Sequence, residues 1–92
     1  MNPFFDDLGR RLASAAAEQG ADIEPPALDA GVAGELLELA RVAAHTQERR
    51  FAPLSSFMAG VAAERLRAAG KTDPGSVAAV IGQVRRELES ES

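Results

Sequence analysis

The apolar residues of this chain recur at spacings of three and four residues, which predicts helices, and no segment alternates as a strand would. Four segments carry this pattern, each with a start or a stop signal. We predict helices at about 3–19, 30–46, 53–69 and 74–89, with a linker at 20–29. The predicted fold class is therefore all-α: a small antiparallel four-helix bundle that forms a single domain over residues 1–92.

The boundaries of these helices are marked by residues with known preferences. Asn2 is a good N-cap, and Pro3 suits the first position of a helix. The proline pair at 25–26 keeps the linker out of helical conformation. Gly70 indicates the end of the third helix, and Asp73 is placed to cap the fourth.

The apolar stripe of each helix indicates the side that we expect in the core. The stripes are Phe4, Leu8, Leu12 and Ala15 on the first helix; Val32, Leu36, Leu39 and Ala43 on the second; Leu54, Phe57, Met58, Val61, Ala62 and Ala69 on the third; and Val77, Ile81, Val84 and Leu88 on the fourth. The second helix has the widest stripe and is expected at the centre. Gly9, Ala13 and Ala16 form a small-residue face that favours a close contact within the chain, with a dimer seam as the alternative.

Composition and charge exclude several classes of function. The chain has no cysteine and one histidine, so we expect no thiolate or multi-histidine metal site, no cysteine nucleophile and no cofactor. Its net charge of −4 argues against binding to nucleic acid. No apolar run approaches the ~20 residues of a membrane span, and the start MNPFFDDLG lacks the features of a signal peptide. We expect a cytoplasmic protein.

Candidate chemistry is concentrated in the stretch AHTQERRFAPLSSFMAG, at 44–60. His45 and Glu48 can form an acid–base couple, but no nucleophile or orienting group stands at a supporting spacing. We therefore predict no catalytic residue and no enzyme. The alternative interpretation of His45 is an exposed residue at the end of a helix.

The same stretch offers a possible anion site. Arg49 and Arg50 precede a helix N-terminus, where backbone amides and serine hydroxyls are able to bind phosphate or a nucleotide. The candidate ligand-binding residues are His45, Arg49, Arg50, Ser55 and Ser56. The alternative is a solvated turn between two helices, which needs no ligand.

Arg65 interrupts the apolar stripe of the third helix, because it stands eleven residues after Leu54. One explanation is that its stem lies on apolar surface while its head reaches water. The other is a salt bridge across an interface.

The segment ELLELARVAAHTQERRFAPLSSFMAGVAA resembles the central motif of a small actinobacterial helical domain of unknown function, found alone or appended to molybdenum cofactor guanylyltransferases. The family pattern is a leucine-rich helix ending in Val-Ala-His, a Glu-Arg pair, Ala-Pro-Leu, two hydroxyl residues, an aromatic or aliphatic pair and Gly. The matching positions are Ala43, Ala44, His45, Glu48, Arg49, Ala52, Pro53, Leu54, Ser55, Ser56, Phe57, Met58 and Gly60. Ala43 departs from the usual valine.

This resemblance implies an association with molybdenum cofactor biosynthesis. Together with the lack of a catalytic constellation, it favours a non-enzymatic interaction or accessory module. The implied partner is a protein such as a cofactor-biosynthesis enzyme, and a homodimer is a further expectation. The resemblance also favours one structural corner between the second and third helices. In that corner His45 or Arg49 is expected to bond backbone groups of the turn.

Overall fold

The structure, a computed structural model, describes residues 2–91. It contains α1 (Pro3–Glu18), α2 (Ala30–Thr46), α3 (Phe51–Ala68) and α4 (Pro74–Glu91), and residues 2–91 include no strand. The all-α prediction is confirmed, and the boundaries agree within two residues. The chain divides into two compact units, the first up to Ala30 and the second from Gly31 onward.

The helix ends follow the sequence signals. The Asn2 side chain accepts a hydrogen bond from the amide of Phe4 at 2.8 Å, as an N-cap does. α1 and α3 end in the same way, at Gly20 with φ of 89° and at Gly70 with φ of 95°. The amide after each glycine donates at 2.9 Å to the carbonyl five residues earlier, which is the Schellman arrangement. Glycine is favoured there because residues with a Cβ rarely adopt positive φ.

In the first unit the linker folds back onto α1. Gly9 is buried, and a Cβ at this position would clash with the carbonyl oxygen of Pro26. Ala13 and Ala16, on the same face of α1, are half-buried. The small-residue face of α1 therefore makes a close contact within the chain, as the sequence predicted.

The predicted core stripe of α1 is wrong. Phe4, Leu8 and Leu12 are exposed in the structure, Phe4 to 60%, and Ala15 is exposed as well. The carbonyl oxygen of Pro26 lies against Gly9, because this residue has no side chain that would keep the carbonyl away. The chain thus covers the small face of α1 and leaves the large apolar side chains on the surface.

The second unit is built around one apolar cluster shared by its three helices. Leu39 of α2, Ala59 of α3 and Val77 and Ile81 of α4 are buried together. Val32, Leu36, Ala63 and Leu66 pack against this cluster. Leu39 and Ala43 of the predicted α2 stripe are buried, which confirms the face predicted for that helix.

Ion pairs and shared cavities show the direction of each helix in this unit. Glu35 and Arg41 of α2 pair with Arg85 and Glu89 of α4 in the same order along both helices, so α2 and α4 run parallel. α3 runs opposite to α4, because its beginning and the end of α4 line one cavity together. The unit is an up–down–up arrangement of three helices.

α3 turns an unexpected face toward this core. Ala59 is its buried residue, whereas Leu54, Phe57 and Met58 are 60%, 72% and 71% exposed. The prediction that these three large residues lie in the core is wrong. Alanines at 59 and 63 bring α3 close to its neighbours, and this close packing turns the large side chains outward. Val84 and Leu88 of α4, also predicted in the core, are exposed beside them.

Candidate functional site

The corner between α2 and α3 is short and hydrogen-bonded by its own backbone and hydroxyls. α2 ends at Thr46, whose hydroxyl donates to the carbonyl of Val42 at 2.8 Å. The amide of Gln47 donates to the carbonyl of Ala43 at 3.1 Å. The amide of Gln47 satisfies a carbonyl that has no partner inside the helix, and the Thr46 hydroxyl adds a bond within the last turn of α2.

His45 and Arg49 do not have the structural role that the resemblance implied. Both side chains are exposed, and within residues 2–91 neither makes a hydrogen bond or an ion pair. Thr46 bonds the end of α2 instead. The ion pair in the connector joins Arg50 to Glu48 at 3.0 Å, and the Arg50 guanidinium lies 6.0 Å from the centre of the Phe51 ring.

The start of α3 differs from the predicted anion site. The helix begins at Phe51, two residues earlier than predicted. The amides of Phe51 and Ala52 donate to carbonyls of the connector, at 2.9 and 3.2 Å, and Pro53 has no amide hydrogen. The Ser56 hydroxyl donates to the carbonyl of Ala52 at 3.1 Å. These first amides and this hydroxyl are therefore occupied by the chain itself.

The five candidate ligand-binding residues do not line one cavity. His45 borders an open cavity of about 600 Å³ together with Thr46, Gln47, Leu88 and Glu91. Ser55 lines a different cavity, between α3 and α4. Arg49, Arg50 and Ser56 line neither. Anion binding at this corner remains a prediction, and its test is given below.

Exposed apolar side chains lie along α3 and α4 in the second unit. We call these six side chains the apolar strip: Leu54, Phe57, Met58, Val80, Val84 and Leu88, each between 36% and 72% exposed. Two open cavities, of about 700 and 270 Å³, lie along it. Arg65 borders the larger cavity.

Sequence reasoning missed the strip because large apolar residues at helical spacing are usually buried. One signal pointed to it. Arg65 falls on the same stripe of α3 as Leu54, Phe57 and Met58, and a guanidinium on an apolar face requires that face to reach water. The structure shows Arg65 exposed, with no ion pair within residues 2–91.

A charged ladder joins α2 to α4 on another side of the unit. It consists of Glu35, Arg85, Glu89, Arg41 and Glu38 in order of contact. Arg85 approaches Glu35 at 3.3 Å and Glu89 at 3.0 Å. Gly82 leaves space for the Glu35 carboxylate, because a Cβ at position 82 would clash with that group. The sequence shows these charges at helical spacings but did not single them out.

The ladder lowers the pKa of its Glu89 carboxyl group. The pKa of Glu89 lies below its ordinary value, mainly because Arg85 donates a hydrogen bond to it, and Arg41 adds a second one against the opposing effect of burial. The pKa of Arg85 is raised, first by that bond to Glu89 and also by Glu35. The ion pairs from Arg85 to Glu35 and from Glu89 to Arg41 join α4 to α2.

Within residues 2–91, no three His, Asp or Glu side chains come together in a way that would hold a metal ion. None of the helices over the same residues has the length and apolar character that a membrane crossing requires.

Comparison with known proteins gives a family match. The model of a family described as a domain of unknown function (DUF6457) matches residues 4–92. No curated protein and no solved structure gives a significant match. The family match confirms the predicted resemblance to a small domain of unknown function.

Proposed function

Because the chain belongs to the family described as a domain of unknown function (DUF6457), we propose its function from its own geometry: it is a non-enzymatic module that binds another protein through the apolar strip. The observation that carries this proposal is the exposure of Phe57 and Met58 at the centre of the strip, 72% and 71%. Exposed aromatic and methionine side chains are typical anchors of protein interfaces.

The size of the strip supports a protein as its partner. If a fully exposed large apolar side chain presents about 200 Å², the exposed fractions of the six residues amount to roughly 600 Å². The largest apolar patch of a typical monomer is about 300–600 Å², and patches of that size are often functional. The strip reaches the upper end of that range on a unit of only three helices.

The chemistry of the strip favours a helix or another apolar surface as the bound element. Its cavities are open and lined almost entirely by apolar side chains, with Arg65 as the charged residue at the rim of the larger one. An amphipathic helix that lies in such a groove contributes apolar anchors at spacings of three and four residues. A small polar ligand would find few hydrogen-bonding groups there.

The finer part of the proposal concerns the process. The motif from Glu35 to Ala63 resembles a domain appended to molybdenum cofactor guanylyltransferases, and this resemblance supports a cofactor-biosynthesis enzyme as the partner. The motif includes Leu54, Phe57 and Met58, the α3 half of the apolar strip. We therefore propose that the strip is the part of the motif that contacts such an enzyme.

The test compares two substitutions of equally exposed residues. Binding of the purified protein to a molybdenum cofactor guanylyltransferase is measured by calorimetry for wild type, Phe57→Ser and Leu37→Ser. Leu37 is 73% exposed on α2 and does not line the cavities of the strip, so it controls for loss of an exposed apolar side chain. We expect Phe57→Ser to weaken binding by roughly tenfold or more and Leu37→Ser to leave it unchanged.

Three results would contradict the proposal. Equal binding by all three proteins would remove the strip from the interaction, and no binding by any of them would remove this enzyme as the partner. Turnover of a nucleotide or pterin by the purified protein would show that the module is an enzyme.

A further inference from the structure

The charges at the two ends of the apolar strip are opposite. Arg65 lies at the end formed by the last turns of α3, and Glu91 lies at the other end, beside Leu88, in the last turn of α4. Neither side chain makes an ion pair with any residue from 2 to 91. Both are exposed. An apolar surface with an unpaired cation at one end and an unpaired anion at the other is complementary to its own copy turned end to end.

The spacing of these charges is symmetric about the middle of the strip. Met58 of α3 and Val84 of α4 each lie near the middle of the residues through which their helix lines one shared cavity. Arg65 lies two helical turns beyond Met58, and Glu91 lies two turns beyond Val84 in the opposite direction, because α3 and α4 run antiparallel. Both distances are about 10 Å along the helix axis. A twofold axis through the middle of the apolar strip would place Arg65 of each copy opposite Glu91 of the other copy. The dimer would then contain two such pairs.

We propose that a second copy of this chain occupies the apolar strip, in a twofold dimer that pairs Arg65 of each copy with Glu91 of the other. This inference rests on the proposed function in that it takes the apolar strip to be a protein-binding surface; a second copy and the enzyme would compete for it. In a twofold interface the same patch serves both copies, so the patch must be complementary to itself. The strip meets this condition in its apolar middle and in its charged ends.

The available area agrees with a dimer. The strip exposes roughly 600 Å² per copy before its rim is counted, against about 800 Å² per partner in a standard stable interface. Val61, Ala62 and Arg65 border the same cavity and would add to the buried surface. In the monomeric unit Phe57 and Met58 have no apolar cover, and a second copy would supply it.

The test uses charge reversal with two forms of rescue. Sedimentation equilibrium gives the dimer dissociation constant for wild type, Arg65→Glu, Glu91→Arg and the double variant. Each single reversal places two like charges opposite each other, and we expect it to raise the dissociation constant about tenfold at low salt. The double variant restores both attractions and should dimerise like wild type. An equimolar mixture of the two single variants should also associate, because every facing pair in the mixed dimer is attractive.

Two matched variants test the apolar middle. Both copies carry the Phe57→Ser substitution at the interface, so we expect it to raise the dissociation constant of the dimer by roughly 100-fold. Leu37→Ser should leave it unchanged. Circular dichroism of each variant shows whether the helices are retained, and both side chains are exposed enough that we expect them to be.

The outcomes separate this inference from the proposed function. A protein that stays monomeric at millimolar concentration overturns the dimer, while loss of guanylyltransferase binding by Phe57→Ser would still support the strip as a protein-binding surface. A dimer that is insensitive to Phe57→Ser, or that is not rescued in the mixture, uses another surface and overturns the inference as well. A dimer that behaves as expected but binds no enzyme supports the inference and contradicts only the proposed heterologous partner.

Discussion

Arg85 of α4 reaches across to Glu35 of α2, with 3.3 Å between the guanidinium and the nearer carboxylate oxygen. Both side chains are about four-fifths buried, and the same guanidinium also holds Glu89. Its Nε is buried and has no hydrogen-bond partner within residues 2–91. The pair fixes the side-by-side position of two helices that are not adjacent in sequence.

We predict that Arg85→Met destabilises the protein more at neutral pH than in acid. The pKa of Glu89 is lowered in the folded state, mainly by the hydrogen bond from Arg85. The stability from this pairing is therefore complete above the ordinary glutamate pKa of 4.5 and is lost as the pH falls through the lower folded-state pKa. Arg85→Met should unfold at a lower temperature than wild type at pH 7, and the difference should shrink below pH 4. Arg85→Lys, which keeps the charge, should fall between the two in thermal denaturation scans.

The N-terminus of α4 gives a second prediction. Asp73 accepts hydrogen bonds from the backbone amide of Ser76 at 2.8 Å and from its hydroxyl at 2.9 Å, and these bonds lower the pKa of Asp73. Asp73→Ala should lower the melting temperature by about 4–8 °C, as loss of an N-cap does in a domain of this size. Asp73→Asn retains an acceptor and should stay close to wild type at neutral pH. If the alanine variant melted with wild type, the cap would not contribute to stability.

Two glycines in helices should respond to alanine in opposite ways. A Cβ at Gly9 would clash with the carbonyl of Pro26, whereas a Cβ at Gly60 would meet nothing within 4 Å. Gly60→Ala should stabilise the protein by about 0.5–1 kcal/mol through helix propensity. Gly9→Ala should displace the linker from α1, and limited proteolysis should then cut the 20–29 segment faster. Equal proteolysis of the two variants would contradict the close contact at Gly9.

In the second unit, the loss of unfolding free energy on truncation to alanine should increase with the burial of the residue. Ile81 is 5% exposed and belongs to the central cluster, so Ile81→Ala should cost about 2–4 kcal/mol of unfolding free energy in urea. Val61 is half-buried at the edge of the apolar strip, and Val61→Ala should cost about 1 kcal/mol or less. The sequence alone predicts a cavity at both positions. A larger loss at Val61 would place the core elsewhere.

His45 and Arg49 provide a prediction of no effect on stability. Because neither side chain bonds to any residue from 2 to 91, His45→Ala and Arg49→Ala should each unfold within about 0.5 kcal/mol of wild type. A thermal-shift screen with phosphate, nucleotides and molybdate tests the remaining hypothesis of an anion site. A ligand at 100 times its Kd should stabilise the protein by about 2.7 kcal/mol, and Arg49→Ala should abolish that shift. A shift that survives Arg49→Ala would place the anion at another site.

The sequence predicted what depends on local preferences. Asn2, Gly70 and Asp73 mark helix ends in the sequence because their effects act within one turn of the chain. The start of α3 was predicted two residues late, because Pro53 was taken as the first helical residue. Pro is also tolerated elsewhere in the first turn, where its missing amide hydrogen has no partner in the helix.

The sequence did not predict which face of a helix is covered. In α1 and α3 the apolar stripe was assigned to the core by size, and in both the structure packs a face of small residues instead. The face that becomes buried is the one that lets two segments approach most closely, as at Gly9 and Ala59. This distance depends on both packed segments, so one helix sequence does not determine it. The same limit explains the charged ladder, since the spacing of Glu35 and Arg85 along the chain says nothing about their contact in space.

The positive φ of Gly20 and Gly70 has a chemical consequence for a chain short enough to be synthesised. This region of backbone space is strained for an L-residue and relaxed for its mirror image. Nothing lies within 4 Å of the Cβ that an L-residue would carry at either glycine, so only the backbone conformation opposes an L-residue there. D-alanine at 20 or 70 would therefore keep each helix end while narrowing the conformations open to the unfolded chain. We therefore expect a D-residue to stabilise the folded protein at these two positions.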